Sequence, residues 1–175
     1  MSKNLTVAIA LFFSVYGCAQ QKTISKNNNS KLIIAAKEII HSAKTCALIT
    51  NDDEGRPGVR TMDPFPLEED LTVWFGTNAS SRKVNQIKKD NRVTLYYLDN
   101  DNTGYVMIYG TASIVNEISK KETYWKTKWK DFYPNFPEGY MLIKVEPQWL
   151  EVVSETRGIL GDSLTWTPQK VIFKN

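Results

Sequence analysis

Between Leu71 and Lys83 the chain passes from an apolar strand (Leu71-Thr-Val-Trp-Phe75) through Gly76 into a helix whose first turn carries two hydroxyls, a guanidinium and an ammonium. Few local patterns constrain a fold more. The strand is expected to turn at the glycine, and the helix that opens beyond it offers unpaired N–H groups and a partial positive charge. Such an end is a ready socket for a phosphate. Arg82 adds a forked donor and Lys83 a compact charge, while Thr77, Ser80 and Ser81 offer hydroxyls. Taken alone, the same residues also fit an ordinary helix cap by Ser80 or Ser81 followed by solvated charges.

The rest of the chain is read as short strands at hairpin spacing. Thr45–Thr50, a turn at Asn51–Gly55 and a return strand Pro57–Met62 form a first hairpin, which Asp63-Pro-Phe-Pro66 stops because neither proline can donate to a ladder. Leu71–Gly76 is the third strand and Ser80–Lys89 the socket helix. Arg92–Leu98 alternates, Asp99–Gly104 is a turn, and Tyr105–Val115 is a long strand in which Gly110 marks a bulge or a close backbone approach. Two further strands, Tyr140–Val145 and Trp149–Ser154, flank Glu146-Pro147, and a short one ends the tail near Val171–Phe173. Helices are expected at Lys31–Ala43, capped by Ser30, and at Ser119–Asp131, with Trp125 and Trp129 inward and a solvated lysine face outward. The pattern predicts a mainly β protein, a six- to seven-stranded antiparallel barrel with flanking helices and no βαβ series.

At 175 residues the chain supports one sizeable domain. A formal charge of +3 is too small to imply nucleic acid, and a single histidine, His41, excludes a multi-histidine metal site. His41 reads as a helix C-terminal residue facing the dipole. At the N-terminus, Lys3 precedes an apolar run from Leu5 to Val15, too short to span a bilayer as a mature helix. Val15-Tyr-Gly-Cys18 resembles the lipobox of a bacterial lipoprotein. That resemblance implies a signal peptide over residues 1–17, a lipidated Cys18 and a polar tether over residues 18–30 ahead of a domain at 31–175, lipid-anchored in the cell envelope. Cys46 would then have no thiol partner and reads as an inert core residue.

Two motifs together resemble the pyridoxamine 5'-phosphate oxidase superfamily, the FMN-binding split barrels, and within it the general stress protein branch. They are Arg60-Thr-Met62 and Thr77-Asn-x-x-Ser-Arg-Lys83, expected on adjacent strands, and the likeness covers Leu32–Val153. The resemblance implies FMN bound in the interface of a homodimer, an exported membrane-anchored flavoprotein and oxidoreductase chemistry. It assigns Arg60, Thr61 and Met62 to the flavin, Gly76 and Thr77 to the ribityl and phosphate region, and Ser81, Arg82 and Lys83 to the phosphate. Tyr105 falls where the oxidases have a glutamine near the flavin, and Trp166 is a candidate for an aromatic supplied by the partner copy. A deazaflavin is the alternative cofactor, and haem is disfavoured because His41 is a poor axial ligand. The pattern departs from the oxidases at Asp63-Pro-Phe-Pro66, which lacks their substrate-binding lysine, and in having no histidine after His41. A non-catalytic flavin or small-ligand binder therefore stands beside the oxidoreductase reading.

Overall fold

The computed structural model describes residues 28–173. The lipobox-like segment, Cys18 and most of the expected tether lie outside the described residues. The order is helix α1 (residues 28–43), strands β1 (Cys46–Asn51), β2 (Pro57–Met62) and β3 (Val73–Asn78), helix α2 (Arg82–Lys89), strands β4 (Arg92–Leu98) and β5 (Gly104–Val115), helix α3 (Ile118–Thr123), a 3-10 turn (Thr127–Trp129), and strands β6 (Tyr140–Ser154) and β7 (Gln169–Ile172). All pairings are antiparallel, in the order β2-β1-β4-β5-β6-β3, with β7 also on β6. This is the mainly β architecture expected.

Strand periodicity sorts the side chains into two faces. Leu48, Leu95, Ile108 and Leu150 lie side by side across β1, β4, β5 and β6, fully buried under α1, which contributes Leu32, Ala36 and Ile39. The opposite face holds Ile49, Thr94, Tyr109 and Trp149 in one cross-strand row and Ala47, Tyr96, Met107 and Glu151 in the next.

Several boundaries differ from the sequence reading. Residues 28–30, placed in the tether, already belong to α1, and the third strand, expected over Leu71–Gly76, starts at Val73 and runs through Gly76 to Asn78, with α2 opening at Arg82 instead of Ser80. The two strands around Glu146-Pro147 are a single strand of 15 residues. Pro147 is accommodated because the register with β5 shifts between Tyr109 and Gly110, so the ring does not interrupt the ladder. Gly110 lies so close to the Glu146 carbonyl that no β-carbon fits there. β2 and β3, expected as neighbours, are the two outer strands of the main order.

The helix expected at Ser119–Asp131 is broken into α3 and a 3-10 turn. Tyr140, fully buried, donates its hydroxyl to the Tyr124 carbonyl at 2.6 Å, taking an acceptor that a continuing helix needs. Trp125, Trp129, Tyr133 and Phe136 then fold around the Tyr140 ring. Nor is the lysine face uniformly solvated: Lys121 is buried with its ammonium on the Pro137 carbonyl, and Lys126 lies over the Phe65 and Trp129 rings while bonded to Asp63.

Candidate functional site

The site forms where α2 meets the two sheet edges. Its polar face starts at Ser81, which occupies the N-cap position with extended backbone but makes no side-chain cap. The Ser81 hydroxyl instead lies 3.3 Å from that of Thr77, at the end of β3. Lys83 donates to the same Thr77 hydroxyl at 3.0 Å. Thr77 is buried, on the inward face of β3 with Phe75.

On the other side of α2, Arg60 reaches in from β2. Its guanidinium donates to the Thr50 hydroxyl (2.6 Å), the Leu48 carbonyl (3.4 Å) and the Gln86 side-chain carbonyl (3.0 Å). Thr50 in turn donates to Gln86 at 2.7 Å. Gly58 makes room, since a β-carbon there would sit 3.0 Å from the Arg60 guanidinium. A cleft of about 930 Å³ adjoins this arrangement, lined by Gly58, Arg82 and Gln86 on one side and by the hairpin residues Asp52, Asp53 and Glu54 on the other.

Electrostatically the cluster is one-sided. Arg60, Arg82 and Lys83 bring three positive charges together, and every hydrogen-bond acceptor of Arg60 and Lys83 given above is neutral. The acids of the neighbouring hairpin are engaged elsewhere: Asp52 and Glu54 with Arg56, and Asp53 with Lys89. Burial lowers the proton affinity of both Arg60 and Lys83; the charge of Arg82 adds to the effect on Arg60, and that of Arg60 to the effect on Lys83. Half-buried like charges without a counter-ion are unfavourable by themselves, and an anion between them relieves both terms. The donor set of forked guanidinium, ammonium, hydroxyls and an uncapped helix terminus suits a phosphate.

The other residues singled out from sequence are distributed differently. Met62 is buried in the main core, whereas Thr61 points to the exposed sheet face opposite Arg60. Gly76 is on the other face of β3 from Thr77, where the Tyr140 hydroxyl and the Trp129 ring occupy the space of its missing side chain. Tyr105 stacks on Tyr96 at 5.2 Å on the exposed sheet face. Trp166 stands 85% exposed on the loop before β7, with φ of 59°. The Asp162 carboxylate accepts from the Leu164 and Thr165 N–H groups, and the Trp166 N–H donates to the Asp162 carbonyl, which fixes that loop. His41 lines a separate groove between α1 and residues 64–69, away from the cations. Asp63, where the resemblance places a basic residue nearby, is bound by Lys126 and Lys128.

Thr50, Gly58 and Gln86 were missed from the sequence. Gln86 follows Arg82 by four residues and so shares its helix face, a spacing that is legible in advance. Thr50 and Gly58 need the β1–β2 register, which pairs them directly.

The fold defines the class: an antiparallel split barrel with a helix seated at the split. The profile of the family described as "Pyridoxamine 5'-phosphate oxidase like" matches residues 28–160, and the chain belongs to this family. Trp166 lies beyond the matched segment. No curated protein matches the chain. Among solved structures, the fold is shared with a protein related to general stress protein 26 from Clostridium acetobutylicum, at 24% identity and a TM-score of 0.65 over 81% of this chain and 94% of that one. General stress protein 26 from Bacillus anthracis matches at 22% identity and 0.61, over 83% and 98%. A pyridoxamine 5'-phosphate oxidase-related, FMN-binding protein from Nostoc punctiforme matches at 14% and 0.58, over 81% and 93%.

Among the described residues no group of three or more His, Cys, Asp or Glu side chains is arranged to hold a metal, and no helix is long and apolar enough to cross a membrane.

Proposed function

We propose that this protein binds FMN between two copies of the chain and supports hydride-transfer chemistry on a small molecule. The observation that carries the reading is the trio Arg60, Arg82 and Lys83, brought together with no acidic ion-pair partner among the described residues. Arg60 from β2 and Lys83 and Arg82 from α2 hold the phosphate, and Thr77 and Ser81 donate to its remaining oxygens. When bound, the flavin supplies the hydride acceptor, and the protein supplies binding and orientation. The Nostoc relative, described as FMN binding, supports the choice of flavin.

The second copy is suggested by the exposed sheet face. Val59, Tyr96, Leu98 and Ile172 are exposed on it, and two stacked pairs, Tyr96–Tyr105 and Tyr109–Trp149, form its centre. An apolar and aromatic face of this kind is characteristic of an interface. Arg60 lies on the other face, but β2 is an outer strand, so a flavin whose phosphate lies at Arg60 can pass round this edge onto the face that carries Thr61 and Tyr105.

Asp63 favours one restriction. Its ion pairs put an acid and two engaged lysines beside the strand end where a vitamin B6 phosphate would need free cations. The substrate is therefore some other small molecule, or the flavin is held without turnover. We also assign Cys18 as the site of a lipid anchor in a bacterial cell envelope, on the strength of Val15-Tyr-Gly-Cys18. Cys18→Ser should leave an unacylated precursor or a soluble protein; unchanged membrane retention would argue for an uncleaved anchor.

The primary test is the visible absorption spectrum of the purified protein, with mass spectrometry of any ligand released on denaturation. A yellow protein releasing FMN is expected. A colourless protein that does not take up added FMN would reduce the cation cluster to a surface feature.

A further inference from the structure

We propose that Gln86 is a positioning residue whose neutral amide fixes Arg60 without discharging it, so that the cradle favours a doubly charged phosphate monoester over singly charged ligands of the same shape. This rests on the flavin reading above and specifies which ionic form of the ligand the site recognises.

Gln86 and Thr50 are 6% and 1% exposed, deep for polar side chains. With Arg60 they close a ring: Arg60 donates to both, and Thr50 donates to Gln86. One carbonyl oxygen thereby accepts two bonds and sets the plane of the guanidinium. A partly buried arginine is ordinarily held by a carboxylate, which fixes and neutralises it together. Here fixing and neutralising are separated. The Arg60 bonds end on an amide, a hydroxyl and a main-chain carbonyl, and Lys83 repeats the arrangement on the Thr77 hydroxyl. Asp52, Asp53 and Glu54, the hairpin acids that line the cleft, are tied to Arg56 and Lys89. Arg60, Arg82 and Lys83 therefore present their full charge to a ligand. Each additional ligand charge is then attracted by all three cations, Arg60 and Lys83 partly buried and Arg82 exposed, so the second negative charge of a phosphate monoester adds substantially to binding.

A carboxylate at position 86 would keep the same two bonds while cancelling one of the three charges. The test compares FMN with riboflavin 5'-sulfate, a tetrahedral monoanion, by titration of flavin fluorescence at pH 8. The native protein should bind FMN about tenfold or more tightly than the sulfate. In Gln86→Glu that preference should shrink toward unity, mainly through weaker FMN binding. Gln86→Met removes the acceptor without adding charge, and should weaken both ligands while keeping their ratio. The selectivity ratio separates charge tuning from a purely structural role, which would move both ligands together in every variant. Equal affinity of the native protein for FMN and the sulfate would overturn the inference and leave the flavin reading standing, as would an undiminished preference in Gln86→Glu. A native protein that takes up neither ligand would overturn the flavin reading and this inference with it.

Discussion

Lys83 and Gln86, three residues apart on α2, are tied to opposite edges of the split sheet: Lys83 donates to Thr77 of β3 at 3.0 Å, and Gln86 accepts from Arg60 of β2 at 3.0 Å. One short helix thus spans the split between two strands that do not pair with one another, and brings its own Arg82 and Lys83 together with Arg60 of β2. The same bonds that seat the helix also aim the charged groups.

The phosphate assignment separates two flavins. Changing Arg82 and Lys83 together to alanine should weaken FMN binding by about a hundredfold, since charge-assisted hydrogen bonds contribute about 1.5–3 kcal/mol each. Riboflavin, lacking the phosphate, should be nearly unaffected. Isothermal titration of both ligands checks this, and a parallel loss for the two would contradict the assignment.

Gly76 is constrained by packing. A methyl group there meets the Tyr140 hydroxyl and comes within 2.6 Å of the Trp129 ring. Gly76→Ala should destabilise the fold by about 1–3 kcal/mol through overpacking. A urea midpoint equal to that of the native protein would show that the aromatic cluster yields without cost.

Alkaline stability should depend on Cys46. Burial holds its thiol protonated, raising its pKa from 9.0 to about 12, and burial likewise raises the Tyr97 hydroxyl. The unfolded chain releases both protons nearer their ordinary values. The stabilisation is thus complete below about pH 9 and is lost as pH climbs toward 12, by up to about 1.4 kcal/mol per pH unit for each group. Chemical denaturation between pH 8 and 11 should show a falling midpoint, with a shallower fall in Cys46→Val. Identical slopes would exclude Cys46 as a source.

The proposed interface predicts an oligomeric change. Trp149 stacks on Tyr109 at 5.3 Å and carries the Lys170 ammonium 4.4 Å above its ring. Trp149→Glu places a charge at the centre of the exposed sheet face and should convert a dimer to a monomer in light scattering, with reduced FMN uptake. A native protein that is already monomeric would remove the interface from the reading.

Much of this architecture was legible in the residues. Alternation in Arg92–Leu98 and the prolines after Met62 defined strands and their ends, and Gly110 announced the bulge, because these are local effects of sterics and period. The helix beyond Thr123 was misread because its fate depended on Tyr140, a residue distant in sequence that captures the Tyr124 carbonyl. Glu146-Pro147 looked like a break for a similar reason: whether a proline interrupts a strand depends on the partner register.

The sequence by itself determined the strand periods, the succession of a third strand and a short helix ahead of Lys89, and the presence of Arg60, Arg82 and Lys83 in motifs resembling a flavin-binding family. Only the tertiary structure decided that these cations share one site, that the hairpin acids are committed elsewhere, and that Gln86 and Thr50 anchor Arg60. Those outcomes depend on register and on how the sheet edges meet α2, and long-range geometry of that kind is set by packing and charge pairing across the whole domain.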